Sequence, residues 1–195
     1  MIDAQTIQKL RQLTGAGMMD AKKALTDANG DENKALEILR LMGQKIAAKK
    51  QQERIAKDGL IEAYVHTNGK VAALVMLACE TDFVAKNSEF KTLAHDLAMQ
   101  TAAMNPLYIS STDVPEEIVN QEKKIYEEEM KTDQKPPEIK EKIITGKLEK
   151  YFSEVCLLSQ NFIKDDKQTV KNLIDSYTAK LGEKIEVKKI IRLEI

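Results

Sequence analysis

The chain has 195 residues, about 1.3 domains at the usual length of about 150, so one domain with an appendage or two unequal ones are expected. Hydrophobic residues make up 43% and charged residues 31%, enough for a folded, soluble protein with a real core. Thirty basic residues against 31 acidic ones leave a net charge of −1, without the basic excess of nucleic-acid binders, and no direct nucleic-acid partner is expected. The longest apolar run, Val71–Cys79, is too short to span a membrane, and Met1–Leu10 lacks an apolar targeting segment. Cys79 and Cys156 lie far apart in apolar surroundings, the pattern of reduced, buried thiols in a cytoplasmic protein.

The first part of the chain predicts three short helices. After a cap at Asp3, Ile7, Leu10 and Leu13 recur at i, i+3, i+6, and Thr14-Gly15-Ala16-Gly17 breaks the pattern. A second helix turns Met18, Ala21, Leu25 and Ala28 inward and stops at Asn29-Gly30. Asp31 caps a third, whose stripe is Ala35, Leu36, Leu39 and Met42 and whose end is Gly43. Helices this short are stable only when packed together, so residues 1–43 are expected to form one compact module. Residues 44–58 follow as a basic, helical linker, in which Lys45, Lys49, Lys50, Arg54 and Lys57 face Glu53 as the single acid before Asp58. Such a stretch reads either as a solvated tether or as a patch that steers an acidic partner at close range.

Residues 59–195 predict an α+β core. Asn68-Gly69 between Leu60–Thr67 and Lys70–Cys79 signals a β-hairpin with a type I′ turn, which needs positive φ at both central residues. Its second strand is apolar on both faces, so each face needs cover. Asn87 or Ser88 then caps a helix in which Phe90, Leu93, Ala94, Leu97, Thr101 and Met104 share a face before Pro106. Asp113 and Glu116 suggest a capping box around Pro115 that opens a charged helix to Met130. Thr132–Pro137 breaks it, and a second helix from Glu138 to Leu158 turns Ile143, Leu148, Phe152 and Val155 inward. Ten acids and eight bases between Glu116 and Lys150 mark this helical hairpin, residues 115–158, as a protruding arm or outer layer. A last helix carries Val170, Leu173, Ile174, Tyr177 and Leu181 to a stop at Gly182, and a strand covers 185–195. The fold class is therefore α+β: a three-helix module, a basic linker, and an antiparallel sheet packed by helices with a charged helical hairpin.

Catalytic and metal motifs are missing. His66 and His95 stand apart from each other and from the cysteines, no phosphate-loop or nucleophile-elbow motif occurs, and Gly15-Ala16-Gly17 joins two helices rather than a strand and a helix. No active site, cofactor or metal is expected, and the chain is not expected to be an enzyme. One segment is less ordinary. Cys79-Glu80-Thr81-Asp82-Phe83-Val84 leaves the apolar strand at a strand-to-helix corner. Either Thr81 or Asp82 caps a helical turn while Phe83 or Val84 drops into the core, or Phe83 is an exposed wedge beside a carboxylate, the pattern of binding hot spots. The strand and Phe90 already supply the core, which leaves little need for a second ring and predicts an exposed Phe83.

Leu10 to Leu25, LRQLTGAGMMDAKKAL, closely resembles the N-terminal signature of the bacterial elongation factor Ts family, and Glu80 to Lys86, ETDFVAK, resembles its second signature. Leu157–Phe162, Thr169-Val170 and Ile190–Leu193 are similar to its C-terminal part, so the resemblance spans essentially the whole chain. Ala21 stands where a cysteine is common, Gln134 where glycine is expected, and Asn161 in place of proline. The resemblance implies a guanine-nucleotide exchange factor that binds elongation factor Tu, GDP-bound and nucleotide-free. The N-terminal module would be ubiquitin-associated-like and dock on the nucleotide domain of Tu through Leu13, Thr14, Gly15, Ala16, Gly17, Met18 and Met19. Thr81, Asp82, Phe83 and Val84 would disturb the Mg²⁺ and phosphate site, Phe83 as the wedge and Asp82 orienting the contact. A non-catalytic adaptor acting through the three-helix module is the alternative, and an enzyme whose site is assembled from scattered residues is a third reading.

Longer members of the family carry two related halves in the core, whereas this chain shows no internal repeat. With a strand apolar on both faces, a homodimer through the sheet is expected, giving a two-plus-two complex with Tu. The last strand, with Val187, Ile191 and Leu193 on one face, is the natural contributor.

Overall fold

The computed structural model describes residues 3–131 and 136–195. The helices among them are α1 (Ala4–Thr14), α2 (Met18–Asp27), α3 (Glu32–Glu53), α4 (Asp82–Lys86), α5 (Ser88–Met104), α6 (Glu116–Glu129), α7 (Pro137–Val155) and α8 (Val170–Leu181). The strands are β1 (Asp58–Val65), β2 (Val71–Cys79), β3 (Asn161–Phe162), β4 (Asp165–Thr169) and β5 (Glu186–Glu194).

Two hydrophobic clusters organise the chain. The smaller joins α1, α2 and α3 through Leu10, Ala21, Ala24, Leu25, Ala35 and Leu39, where alanines let the helices approach closely. Asp31 caps α3 by accepting the Asn33 and Lys34 amides at 3.0 and 3.1 Å. Leu13 and Met18, expected inward, are exposed. At about 100° per residue Leu13 is rotated about 120° from Ile7 on the helix, out of the apolar stripe. Met18 opens α2 beside the turn, before the helices close over it.

Helix α3 does not end at Gly43. It runs on to Glu53, because a lone glycine costs a helix only about 1 kcal/mol, and the residues beyond it pack along α8. Ala47 is fully buried, the Gln44 amide donates to Asn172 at 2.9 Å, and Gln51 donates to the Ile185 carbonyl at 2.6 Å. Residues 44–53 are thus a docked helix rather than a solvated tether.

The main cluster lies between the sheet and its helices. Strand order is β1-β2-β5, antiparallel throughout. Val75, Leu77 and Cys79 of β2 face Phe90, Leu93, Ala94 and Leu97 of α5, and Val170 and Ile174 of α8 complete the layer. Met104, at the end of α5, is exposed. The hairpin forms as expected, but its turn is not type I′. Only Gly69 is left-handed, with φ +68°; its amide donates to the His66 carbonyl, and Asn68 Oδ1 takes the Lys70 amide. Asn68 spends its side chain on the loop instead of adopting positive φ.

A second departure concerns β5. Met76 pairs with Lys189 and Leu77 with Val187, so Lys188 is an extra residue, a β-bulge. The bulge flips the alternation: Val187 is buried in the core, whereas Ile191 and Leu193 point to the opposite face. Val187 therefore cannot share their face. That outer face carries Ile61, Val65, Leu74, Met76, Ile191 and Leu193, all exposed.

Helices α6 and α7 contain no fully buried residue, and Ile143, Leu148, Phe152 and Val155 are only half-buried. The arm is held at its base, where the Leu157 and Leu158 amides donate to Tyr108 and Ile109. Helix α7 ends at Val155 rather than Leu158. The capping box is formed by Ser110 and Asp113, whose carboxylate takes the Ser110 amide at 2.8 Å, and not by Asp113 with Glu116. Gln134 and most of the expected Thr132–Pro137 break lie outside the described residues. The small β3–β4 pair has no sequence signal, since Asp165–Thr169 is polar and lacks strand periodicity. Buried Gln100 fastens it, donating to Gln160 and the Asn161 carbonyl and accepting the Ile163 amide.

Candidate functional site

Thr81, Asp82, Phe83 and Val84 form a corner between β2 and the five-residue α4. Thr81 occupies the N-cap position with extended backbone but no side-chain capping bond. Its hydroxyl goes elsewhere, to Glu183 Oε1 at 2.6 Å, while Glu183 Oε2 accepts the Glu80 and Thr81 amides at 3.1 and 3.0 Å. Glu80 answers from the other side, its carboxylate accepting the Lys184 amide at 2.6 Å and Arg54 Nη1 at 3.2 and 3.3 Å. Burial works to raise Glu80, but the Lys184 amide and the Arg54 guanidinium outweigh it and hold the carboxyl below its ordinary 4.5. Asp82 is also held low, chiefly by its 2.6 Å bond to Lys86.

The corner divides its side chains cleanly. Ala85 is buried and Val84 packs against the main cluster, whereas Phe83 is 81% exposed. The buried Cys79 thiol, which donates to the Thr81 carbonyl at 3.2 Å, is pushed up to about 11 by burial and by the carboxylates of Glu183 and Asp58.

The N-terminal residues Leu13 to Met19 form the α1–α2 turn. Thr14 Oγ1 donates to the Leu10 carbonyl at 2.7 Å and accepts the Ala16 amide, and Gly15 adopts φ +68°. A Cβ on Gly15 would overlap the Lys180 side chain, so the turn lies directly against the end of α8. Leu13, Met18 and Met19 are 64%, 49% and 75% exposed. A cleft of about 470 Å³ opens between this turn, α3 and α8, lined by Leu13, Leu36, Met42, Ile46 and Tyr177 among others. Both segments therefore border the C-terminal end of α8, the turn at Lys180 and the corner at Gly182–Lys184.

Of the basic residues in 44–58, Lys50 and Arg54 are used internally, Lys50 donating to the Thr178 carbonyl and Arg54 to Glu80. Lys45, Lys49 and Lys57 remain exposed. Glu183 and Arg54 carry no local sequence signal as supports, because their partners lie 102 and 26 residues away. Among the described residues no group of three or more His, Cys, Asp or Glu is placed to hold a metal ion, and no helix is long and apolar enough to cross a membrane.

The family described as Elongation factor TS matches residues 4–195, nearly the whole chain, with the N-terminal turn and the exposed corner inside the match. The chain belongs to the elongation factor Ts family. Among curated relatives, elongation factor Ts of Moorella thermoacetica is 50% identical over 195 residues, covering 100% of this chain and 96% of its own length. Elongation factor Ts of Thermotoga petrophila is 52% identical over 194 residues, covering 100% of this chain and 96% of its own. The chain departs from the elongation factor Ts pattern at Ala21, Gln134 and Asn161. Ala21 is fully buried in the small cluster, Asn161 engages Gln100 through its carbonyl and not its side chain, and Gln134 lies outside the described residues.

Proposed function

We propose that the chain promotes release of GDP from elongation factor Tu, as a guanine-nucleotide exchange factor of translation elongation, through the Thr81–Val84 corner. The observation that carries this reading is Phe83, a large ring held 81% exposed inside the segment that resembles the family's second signature and lies within the family match. Exchange breaks no covalent bond, so nothing here needs a catalytic group. Mg²⁺ and loop amides supply much of the grip on a diphosphate, and a wedge that displaces their supports weakens that grip. Linkage makes the effect reciprocal: GDP weakens the complex by the factor by which the complex weakens GDP. Each tenfold gain in release rate draws about 1.4 kcal/mol from the interface.

In this reading residues 1–43 are a docking module, presenting Leu13 to Met19 to the nucleotide domain of Tu. The exposed Leu13, Met18 and Met19 support it. A homodimer through the outer face of the sheet, in a two-plus-two complex with Tu, is supported by that face's run of uncovered apolar side chains. Two buried free thiols fit a reducing cytoplasm.

Stopped-flow release of a fluorescent GDP analogue from Tu tests the reading. Acceleration by the chain, largely lost in Phe83→Ala, is the expected result. Binding of Tu with no acceleration returns the adaptor reading.

A further inference from the structure

We propose that Glu183 is a positioning residue for exchange: with Glu80 it forms a two-carboxylate clasp between the α8–β5 loop and the β2–α4 corner, and this clasp fixes the direction in which Phe83 projects. The proposal rests on the reading of Phe83 as the exchange element.

A helix of five residues does not hold its own shape, and an 81% exposed ring has almost no packing to orient it. Its direction is set by the backbone of α4. The core fixes one side of that helix through Ala85 and half-buried Val84. The other constraint stands immediately ahead of it. One carboxylate, Glu183, gathers two consecutive amides and a hydroxyl, from Glu80 and Thr81, in three charge-assisted bonds. The return bond from the Lys184 amide to Glu80 makes the attachment reciprocal, so the corner can neither slide along the loop nor rotate away from it.

The clasp lies on the solvent side. The Thr81 bonds are exposed and the Glu80 amide bond is part-buried, so water reaches the groups freed at Thr81 and their loss costs the fold little. Orientation, however, is what a wedge must bring to its target already fixed. Arg54, at the end of α3, grips the same assembly through Glu80 and the Gly182 carbonyl at 3.4 Å. The helix that carries the N-terminal module thus ends on the device that aims the ring.

GDP release from Tu, followed over a range of concentrations of the full-length chain, tests the clasp. Glu183→Gln keeps the shape but loses the charge and one acceptor oxygen. It is expected to lower the saturating release rate about tenfold at an unchanged half-saturating concentration and nearly unchanged Tm. Thr81→Val removes only the hydroxyl and gives a smaller loss in the same direction; it carries the test if Glu183→Gln does not fold. In a Phe83→Ala background Glu183→Gln adds no further loss. The chain has no tryptophan, so Phe83→Trp provides a single reporter whose anisotropy falls when Glu183→Gln is added. The clasp is overturned, and the exchange corner kept, if Phe83→Ala slows release but the clasp variants do not, if the two losses multiply, or if the loss follows a fall in Tm. Parental release by Phe83→Ala removes the exchange-corner reading, and the clasp proposal with it.

Discussion

Phe83 and Phe90 are the same side chain seven positions apart, and the fold treats them oppositely: the first is 81% exposed, the second fully buried against β2. Phe83→Ala is therefore expected to leave thermal unfolding almost unchanged while slowing GDP release from Tu by about a decade or more, some 1.4 kcal/mol per decade. Phe90→Ala is expected to cost about 3 to 5 kcal/mol of stability. Unfolding curves for both variants, set beside release rates, check the pair; a large stability loss in Phe83→Ala would make its ring part of the core. The thiols give a second expectation. Burial pushes Cys79 and Cys156 up to about 11, so neither forms much thiolate at neutral pH. Both should resist alkylation in the native protein and react once it is denatured, as counted by mass spectrometry.

Helix α3 shows what a local reading sees and what it misses. Its start was legible because a cap and an apolar stripe act within a few residues, and the hairpin was legible because Asn-Gly constrains neighbouring backbone. Gly43 misled, since the packing of Ala47 and Gln51 against α8 and Ile185 outweighs one poor helix former. The bulge at Lys188 was illegible for the same reason, being fixed by pairing with β2 more than 100 residues earlier in the chain. At the candidate site, the ring itself was readable from its signature and from the surplus of core anchors, but Glu183 and Arg54 have no local signal. Deleting residues 1–43 is expected to leave a folded core, because the rest of α3 stays docked on α8, and to weaken Tu binding; circular dichroism and titration with Tu check both halves. The clasp also predicts an acid response. A carboxyl lowered by folding binds its proton less tightly in the native state than when unfolded, so Glu80's contribution is complete above about 4.5 and is lost as pH falls through its lower native value. The Tm difference between the parent and Glu80→Gln should close over that interval; a difference that persists at lower pH would contradict the ionic origin.

At the scale of the molecule the sheet is covered on one side only among the described residues. Helix α5 occupies the inner face, while the outer face presents three cross-strand rows: Ile61 beside Met76, Ala63 beside Leu74 and Ile191, and Val65 beside Ala72 and Leu193. Scattered exposed aliphatics are ordinary, but contiguous apolar rows, two of them across all three strands, mark a surface that gains by being covered. A second copy of the same sheet would supply an apolar face of matching kind, and a two-fold axis through the central strand β2 would close such an assembly. Leu74 stands in the middle row of that central strand and is 38% exposed in the single chain, so a charge placed there harms an interface far more than it harms the protomer. Leu74→Glu is expected to remain folded, by circular dichroism, and to scatter light as a 22.0 kDa particle, while the parent scatters with twice that mass. The desolvation of two facing carboxylates in such an apolar interface would drive the separation. A parent chain that is already a monomer at micromolar concentration and still accelerates GDP release would remove the dimer from the exchange mechanism and leave the outer face to be covered by another partner.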